Sequence, residues 1–332
     1  MKTRFLFRLA AGPRIGFGHL MRCRALARAL RVRPIVSIRG GAAARLTAQA
    51  LGCEVVRDGT RTLRAVDLLV VDDPAPARAR AWLRRARRAG TPVATIHDLG
   101  VGSRAADLIV DGSITGHAPR GAAPVLYGTR FTVLDPRVTA ARTDRRRRVG
   151  RRKRLRVLVA LGGGAHVYAL ARTLVDAIHR RCRSAAIDVV AGFCRRDVRP
   201  SLGAARWIER RDGLAPDLAG CDVAVVAGGV TLYEACAIGV PAVAMAVVPG
   251  QQRAIRAFAA RGAVVDIGSL AGADGAVELV AAAVAELLRD ASARDRRASA
   301  ARRLVDGRGA QRVALRIRVL ARNRASRRSR RV

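Results

Sequence analysis

In "IGFGHLMRC", residues 15–23, a histidine follows two glycines and precedes an amphipathic pattern. Gly16 and Gly18 let the backbone come close to a ligand. His19 then falls at or near a helix N-terminus, where the positive helix end disfavours imidazolium. A neutral imidazole in a cleft can take a proton from a hydroxyl or a water as a general base. Arg22, one turn on, can meet a phosphate or a carboxylate. The plainer alternative is a tight turn with a histidine near a helix cap. The loop is not a dinucleotide fingerprint, because G-x-G-x-x-G would need glycine where Met21 stands.

Three further stretches could bind an anionic ligand. In "LGGGAHVYALARTL", 161–174, an apolar strand runs into glycines, Gly163 and Gly164 among them. Backbone N–H groups exposed before the following helix can hold phosphate. In "AGGVTLYEACAIGVPAVAM", 227–245, Gly228 and Gly229 again follow an apolar strand. Thr231 could cap the next helix or bind phosphate. Glu234 stands three residues later, where it could complete a capping box or accept hydrogen bonds from two vicinal ribose hydroxyls. In "PGQQRAIRAFAARGAVVDIG", 249–268, Gln251 and Gln252 open a helix after a strand. Neither glycine loop carries an acidic metal motif, so no metal and no cofactor is expected.

These loops must be held by strands and helices, and the two alternate throughout the chain. Candidate strands in the first half are "RFLFRL", "RPIVSIRG", "DLLVVDD", "PVATIHD" and "ADLIVDG". In the first helical pattern Leu20, Cys23, Leu26 or Ala27, and Leu30 share one face. A second series has "RVLVALGG", "AIDVVAG", "DVAVVAGG", "PAVAMAVV" and "AVVDIG", with helical patterns between them and a last amphipathic helix from about Ala310 to Ala321. This is the order of an α/β protein with parallel sheets. The reading is a domain over 1–141, a basic linker over 142–156, a nucleotide-binding domain over 157–322 and a disordered basic tail over 323–332. Two doubly wound domains leave a cleft where ligands favour the switch points of the sheets.

The formal net charge of +38 raises the question of nucleic acid. Lysine stands only at Lys2 and Lys153 and asparagine only at Asn323, so A-rich codons are nearly absent. A GC-rich genome accounts for much of the arginine and alanine. The arginines are spread widely, without interleaved aromatics for base stacking. No specific nucleic-acid partner is expected. Six cysteines, at 23, 53, 182, 194, 221 and 236, form no C-x-x-C pair and read as buried free thiols. No apolar run approaches the ~20 residues of a membrane span. The start, "MKTRFLFRLAAG", imitates a signal peptide, but Arg8 interrupts its short apolar part, and it reads as a first strand. A cytoplasmic protein, monomeric in the simplest reading, is expected.

Taken together, G-x-G-H-x-x-R-C, G-G-G after the linker, G-G-x-T-x-x-E and the Gln-Gln stretch resemble a known family. It is the UDP-2,4-diacetamido-2,4,6-trideoxy-β-L-altropyranose hydrolase family of pseudaminic acid biosynthesis. "VLYGTRFTVLDPRV", 125–138, and "VDGRGAQRVA", 305–314, extend the likeness over most of the chain. The chain departs from the family at Ala10, where an aspartate is usual, in "GGGAHVY", which lacks Ser, Asp and Asn, at Val230 and at Gly250. The resemblance implies the two-domain glycosyltransferase-B fold and a UDP-sugar bound in the cleft. It implies His19 as the base that activates water against the anomeric carbon, with UDP and free sugar as products. Gly163, Gly164, Gly228, Gly229, Thr231, Glu234, Gln251 and Gln252 would then hold the nucleotide, and Gly16, Gly18 and Arg22 the sugar side. The nearest alternative is a transferase with a sugar or lipid hydroxyl in place of water. A catalytically inactive nucleotide-sugar-binding relative is the third reading.

Overall fold

A computed structural model describes residues 3–13, 15–57, 60–97, 105–117, 123–148, 154–162, 166–193, 199, 201–269 and 275–329. The chain divides into two compact units, 1–136 with 308–332, and 137–307.

In the first unit the strands are β1 (Phe5–Ala10), β2 (Ile35–Arg39), β3 (Glu54–Val55), β4 (Leu68–Asp72), β5 (Val93–His97), β6 (Leu108–Asp111) and β7 (Val125–Tyr127). They form one sheet in the order β3-β2-β1-β4-β5-β6-β7, and every pairing is parallel. The direction of travel reverses between β1 and β4, which makes their carboxyl ends the switch point. Helix α1 (Gly18–Leu30) buries Leu20, Cys23, Leu26, Ala27 and Leu30, the face expected from the spacing. Helices α2 (Ala42–Ala50), α3 (Thr60–Arg64) and α4 (Pro76–Arg88) lie in the crossovers β2–β3, β3–β4 and β4–β5. Arg8, which interrupts the apolar run of β1, is buried and donates to Ser37 Oγ on β2.

The second unit has β8 (Arg156–Ala160), β9 (Ala186–Val190), β10 (Ala205–Ile208), β11 (Val223–Ala227), β12 (Ala242–Ala246) and β13 (Val264–Ser269). Their order is β10-β9-β8-β11-β12-β13, again wholly parallel, with the switch point between β8 and β11. Ahead of β8 stands helix α5 (Arg137–Arg148), and within the unit follow α6 (His166–Arg181), α7 (Ala215–Gly220), α8 (Val230–Ile238), α9 (Gln252–Ala259), α10 (Ala276–Arg289) and α11 (Ala291–Leu304). Strands β8, β9 and β11 are buried over four or five consecutive residues because both faces are covered. All ten expected strands are present. The three not expected, β3, β7 and β10, have two to four residues and lie at sheet edges, where pairing on one side suffices.

Three domain expectations are corrected. The basic run 142–156 is not simply a linker, because α5 covers it as far as Arg148 and belongs to the second unit. Arg145 is 7% exposed, and its guanidinium donates to Gly239 O at 3.0 Å and to Cys221 O, carbonyls at the C-terminal ends of α8 and α7. Burial outweighs the neighbouring acids and lowers its pKa. A charge run thus hides a helix-capping cation. The last helix, α12 (Gly309–Ser329), belongs to the first unit rather than the second. It buries Ala310, Val313, Ala314, Ile317 and Ala321, and Arg318 donates to Leu30 O at the end of α1. Residues 323–329, expected to be disordered, continue this helix, in keeping with the helix propensity of Arg and Ala.

The five described cysteines are free, and four are buried; Cys194 lies outside the described residues. Burial pushes the Cys221 thiol up to about 12 and that of Cys236 higher still. Among the described residues no helix is long and apolar enough to cross a membrane.

Candidate active site

In the first unit the loop between β1 and α1 closes on itself. Gly12 and Gly16 exchange backbone hydrogen bonds of 3.0 and 2.7 Å. Gly16 has φ +82°, a conformation that side chains rarely adopt, and a Cβ there would meet open space. Glycine is therefore set by the backbone angle, not by crowding. Phe17 precedes the helix without a side-chain cap, and Gly18 is its first residue. His19 is the second, as the spacing indicates.

The carboxylate of Asp72, at the carboxyl end of β4, gathers the side chains of α1. His19 Nδ1 lies 2.8 Å from Asp72 Oδ1. Arg22 grips both oxygens, with Nε 2.7 Å from Oδ2 and Nη2 2.5 Å from Oδ1. A carboxylate only accepts, so the hydrogen of the His19 bond sits on Nδ1. Arg22 Nη2 also lies 3.0 Å from Nδ1, but both atoms carry hydrogens and share Asp72 as acceptor. Among the described residues Nε2 makes no hydrogen bond, and the His19 side chain keeps 17% exposure against 1% for Asp72. Burial alone would raise the Asp72 pKa. The Arg22 charge and the hydrogen bonds from Arg22 and His19 outweigh it and hold the carboxyl well below the usual carboxylate range. The group is therefore a fixed anion that orients the imidazole, with Arg22 as its counter-ion rather than a free ligand for phosphate.

Sequence reading missed Asp72. Its signal was the "DD" closing "DLLVVDD", a pair of acids at the carboxyl end of a strand. Their side chains turn to opposite faces of the sheet. Asp73 pairs with Arg39 instead, at 2.6 Å.

The second unit brings part of its expected set together. Gly228 and Gly229 follow β11 at the switch point, and Gly229 is the N-cap of α8. A Cβ on Gly228 would stand 2.7 Å from Gln251 Cβ and 2.9 Å from the Ile255 side chain, so α9 packs against this glycine. Gln251 accepts from Val247 N through Oε1 at 3.0 Å, and its Nε2 lies beside Gly229. The start of α8 has no side-chain cap and no acid in its first turn. Thr231 and Glu234 are the second and fifth residues of α8, so they are neither an N-cap nor a capping box. They are half-exposed and share one side of a helix that is otherwise buried from Leu232 to Ile238. Gln252 does not join them; it donates to both oxygens of Asp266, at 3.1 and 3.0 Å. Gly163 and Gly164 lie outside the described residues; Gly162, just before them, has φ +102°. Among the described residues no group of three His, Cys, Asp or Glu side chains could hold a metal ion.

No protein-family model matches the chain. Over 166 residues it is 28% identical to the spore coat polysaccharide biosynthesis protein SpsG of Bacillus subtilis (strain 168). That match covers 45% of this chain and 45% of the relative, less than half of either. Among solved structures, Acinetobacter baumannii MurG aligns with a TM-score of 0.65 at 16% identity, over 95% of this chain and 99% of MurG. The spinosyn rhamnosyltransferase SpnG, complexed with thymidine diphosphate, aligns with a TM-score of 0.62 at 18% identity, over 96% and 100%. What is shared at these identities is the fold. The two parallel-sheet α/β units are those of the glycosyltransferase-B fold.

Proposed function

We propose that the protein is a glycosyltransferase-like enzyme that moves a sugar from a nucleoside diphosphate to a hydroxyl acceptor. One observation carries this reading: an imidazole at the first switch point, oriented through Nδ1 by a buried carboxylate, leaves Nε2 for a proton. His19 Nε2 takes the proton of the acceptor hydroxyl as its oxygen attacks the anomeric carbon. The bond from that carbon to the diphosphate oxygen breaks, and the negative charge moves onto the leaving diphosphate. Asp72 holds the ring while the imidazolium forms.

The second unit would hold the nucleotide. The uncapped start of α8 and the Gln251 amide suit a diphosphate, because helix N-termini aim N–H groups and a positive dipole at it. Glu234 suits the ribose. The likeness to a polysaccharide biosynthesis protein and to a transferase holding thymidine diphosphate supports a sugar nucleotide as donor.

The second reading keeps the site and places water in the acceptor position. It is favoured by the G-x-G-H-x-x-R-C stretch, which resembles the UDP-sugar hydrolases. Incubation with UDP- and dTDP-sugars, with and without hydroxyl acceptors, separates the two. Nucleoside diphosphate release that requires an acceptor and yields a glycoside is the expected result. Equal release without acceptor, with free sugar as product, would establish the hydrolase. No release from any donor would overturn both.

A further inference from the structure

Helix α12 shows solvent a face that its packing does not explain. Its inner face is spent on Ala310, Val313, Ala314, Ile317 and Ala321. On the outer side Leu315 is 61% exposed and Val319 is 54% exposed, four residues apart and therefore adjacent on one stripe. At 100° per residue, Arg312 and Arg316 lie along one side of this stripe, and Arg318 and Arg322 along the other. Arg312 and Arg318 also donate to the carbonyls of Arg130 and Leu30. From Arg308 to Val332 the sequence has no acidic residue.

An apolar stripe flanked by cations is the pattern of a helix that lies in a membrane interface. We infer that the outer face of α12 docks the protein on an anionic lipid surface, Leu315 and Val319 entering the headgroup region while the arginines meet lipid phosphates. A second copy of the chain would be repelled by the same charge, and nucleic acid would have no use for the apolar pair. This inference is independent of the reaction assigned to His19.

The test is sedimentation of the full chain with vesicles of phosphatidylcholine alone and with added phosphatidylglycerol. Binding to the anionic vesicles only, weakening as salt rises, is expected. L315Q/V319Q changes exposed side chains and should fold, as checked by circular dichroism; it should lower vesicle affinity about tenfold. R316Q should lower it about fivefold. Absence of binding to anionic vesicles would overturn the proposal. So would vesicle binding untouched by L315Q/V319Q, which would mean unspecific charge attraction. A dimer in lipid-free solution that L315Q/V319Q dissolves, or tight RNA binding in place of vesicle binding, would overturn it too.

Discussion

His19 Nδ1 and Asp72 Oδ1 are 2.8 Å apart, a bond that ties the helix after β1 to the end of β4 across the switch point of the first sheet. In the proposed reaction Asp72 is a positioning residue. In Asp72→Asn the new amide can donate to Nδ1 and put the ring hydrogen on Nε2, where the base is needed. Turnover should fall by about 10²–10⁴ with KM for the donor unchanged. Steady-state kinetics check this; a raised KM at unchanged kcat would place Asp72 in binding instead.

The same carboxylate links stability to pH. Its folded pKa is depressed by the Arg22 charge and by hydrogen bonds from Arg22 and His19, against the effect of burial. The stability it contributes is therefore fully present above the unfolded value of ~3.9 and is lost as pH falls toward the folded one. Urea unfolding of the native chain and Asp72→Asn should show the widest gap above about pH 5 and a narrowing gap below about pH 4. A gap that grows on acidification would contradict the ion pair.

Glu234 lies beyond capping distance on α8, so its removal should not loosen the helix start. Glu234→Gln should weaken nucleoside diphosphate binding by about ten- to a hundredfold, the worth of one charged hydrogen bond. The mutant should also discriminate less between ribose and deoxyribose. Calorimetric titration of UDP and deoxy-UDP into both proteins reads this. Equal affinities throughout would leave Glu234 without a part in binding.

Neighbouring glycines should respond differently to alanine. Gly228→Ala forces a methyl to 2.7 Å from Gln251 Cβ, which should cost about 1–3 kcal/mol and displace the amide beside α8. At Gly229 the nearest atom is Gln251 Nε2, 3.8 Å away, an ordinary contact. Thermal melts should show a lowered Tm for the first and a smaller fall for the second, where alanine replaces glycine at the α8 N-cap. Similar Tm values for the two would mean that α9 yields easily.

Much of this arrangement is legible in the sequence because it is local. Apolar runs give the strands, the spacing of Leu20, Cys23 and Leu30 gives α1, and glycines after strands mark both switch points. What escaped the sequence depends on distant partners. Asp72 meets His19 from 53 residues away. Arg145 shows its role only when the helix ends it caps are in place. Periodicity finds α12 but cannot assign it to a unit. Thr231 has the residue type of a cap or a phosphate ligand, but the helix starts earlier, at the bare backbone of Gly229.

His19→Ala, assayed at saturating sugar nucleotide, tests the central claim most directly. Release of nucleoside diphosphate should fall by about 10²–10⁴ relative to the native chain. Nucleotide affinity by calorimetry should stay the same, because the groups assigned to it belong to the second unit. Turnover by His19→Ala equal to that of the native chain would contradict the assignment of His19 as the base.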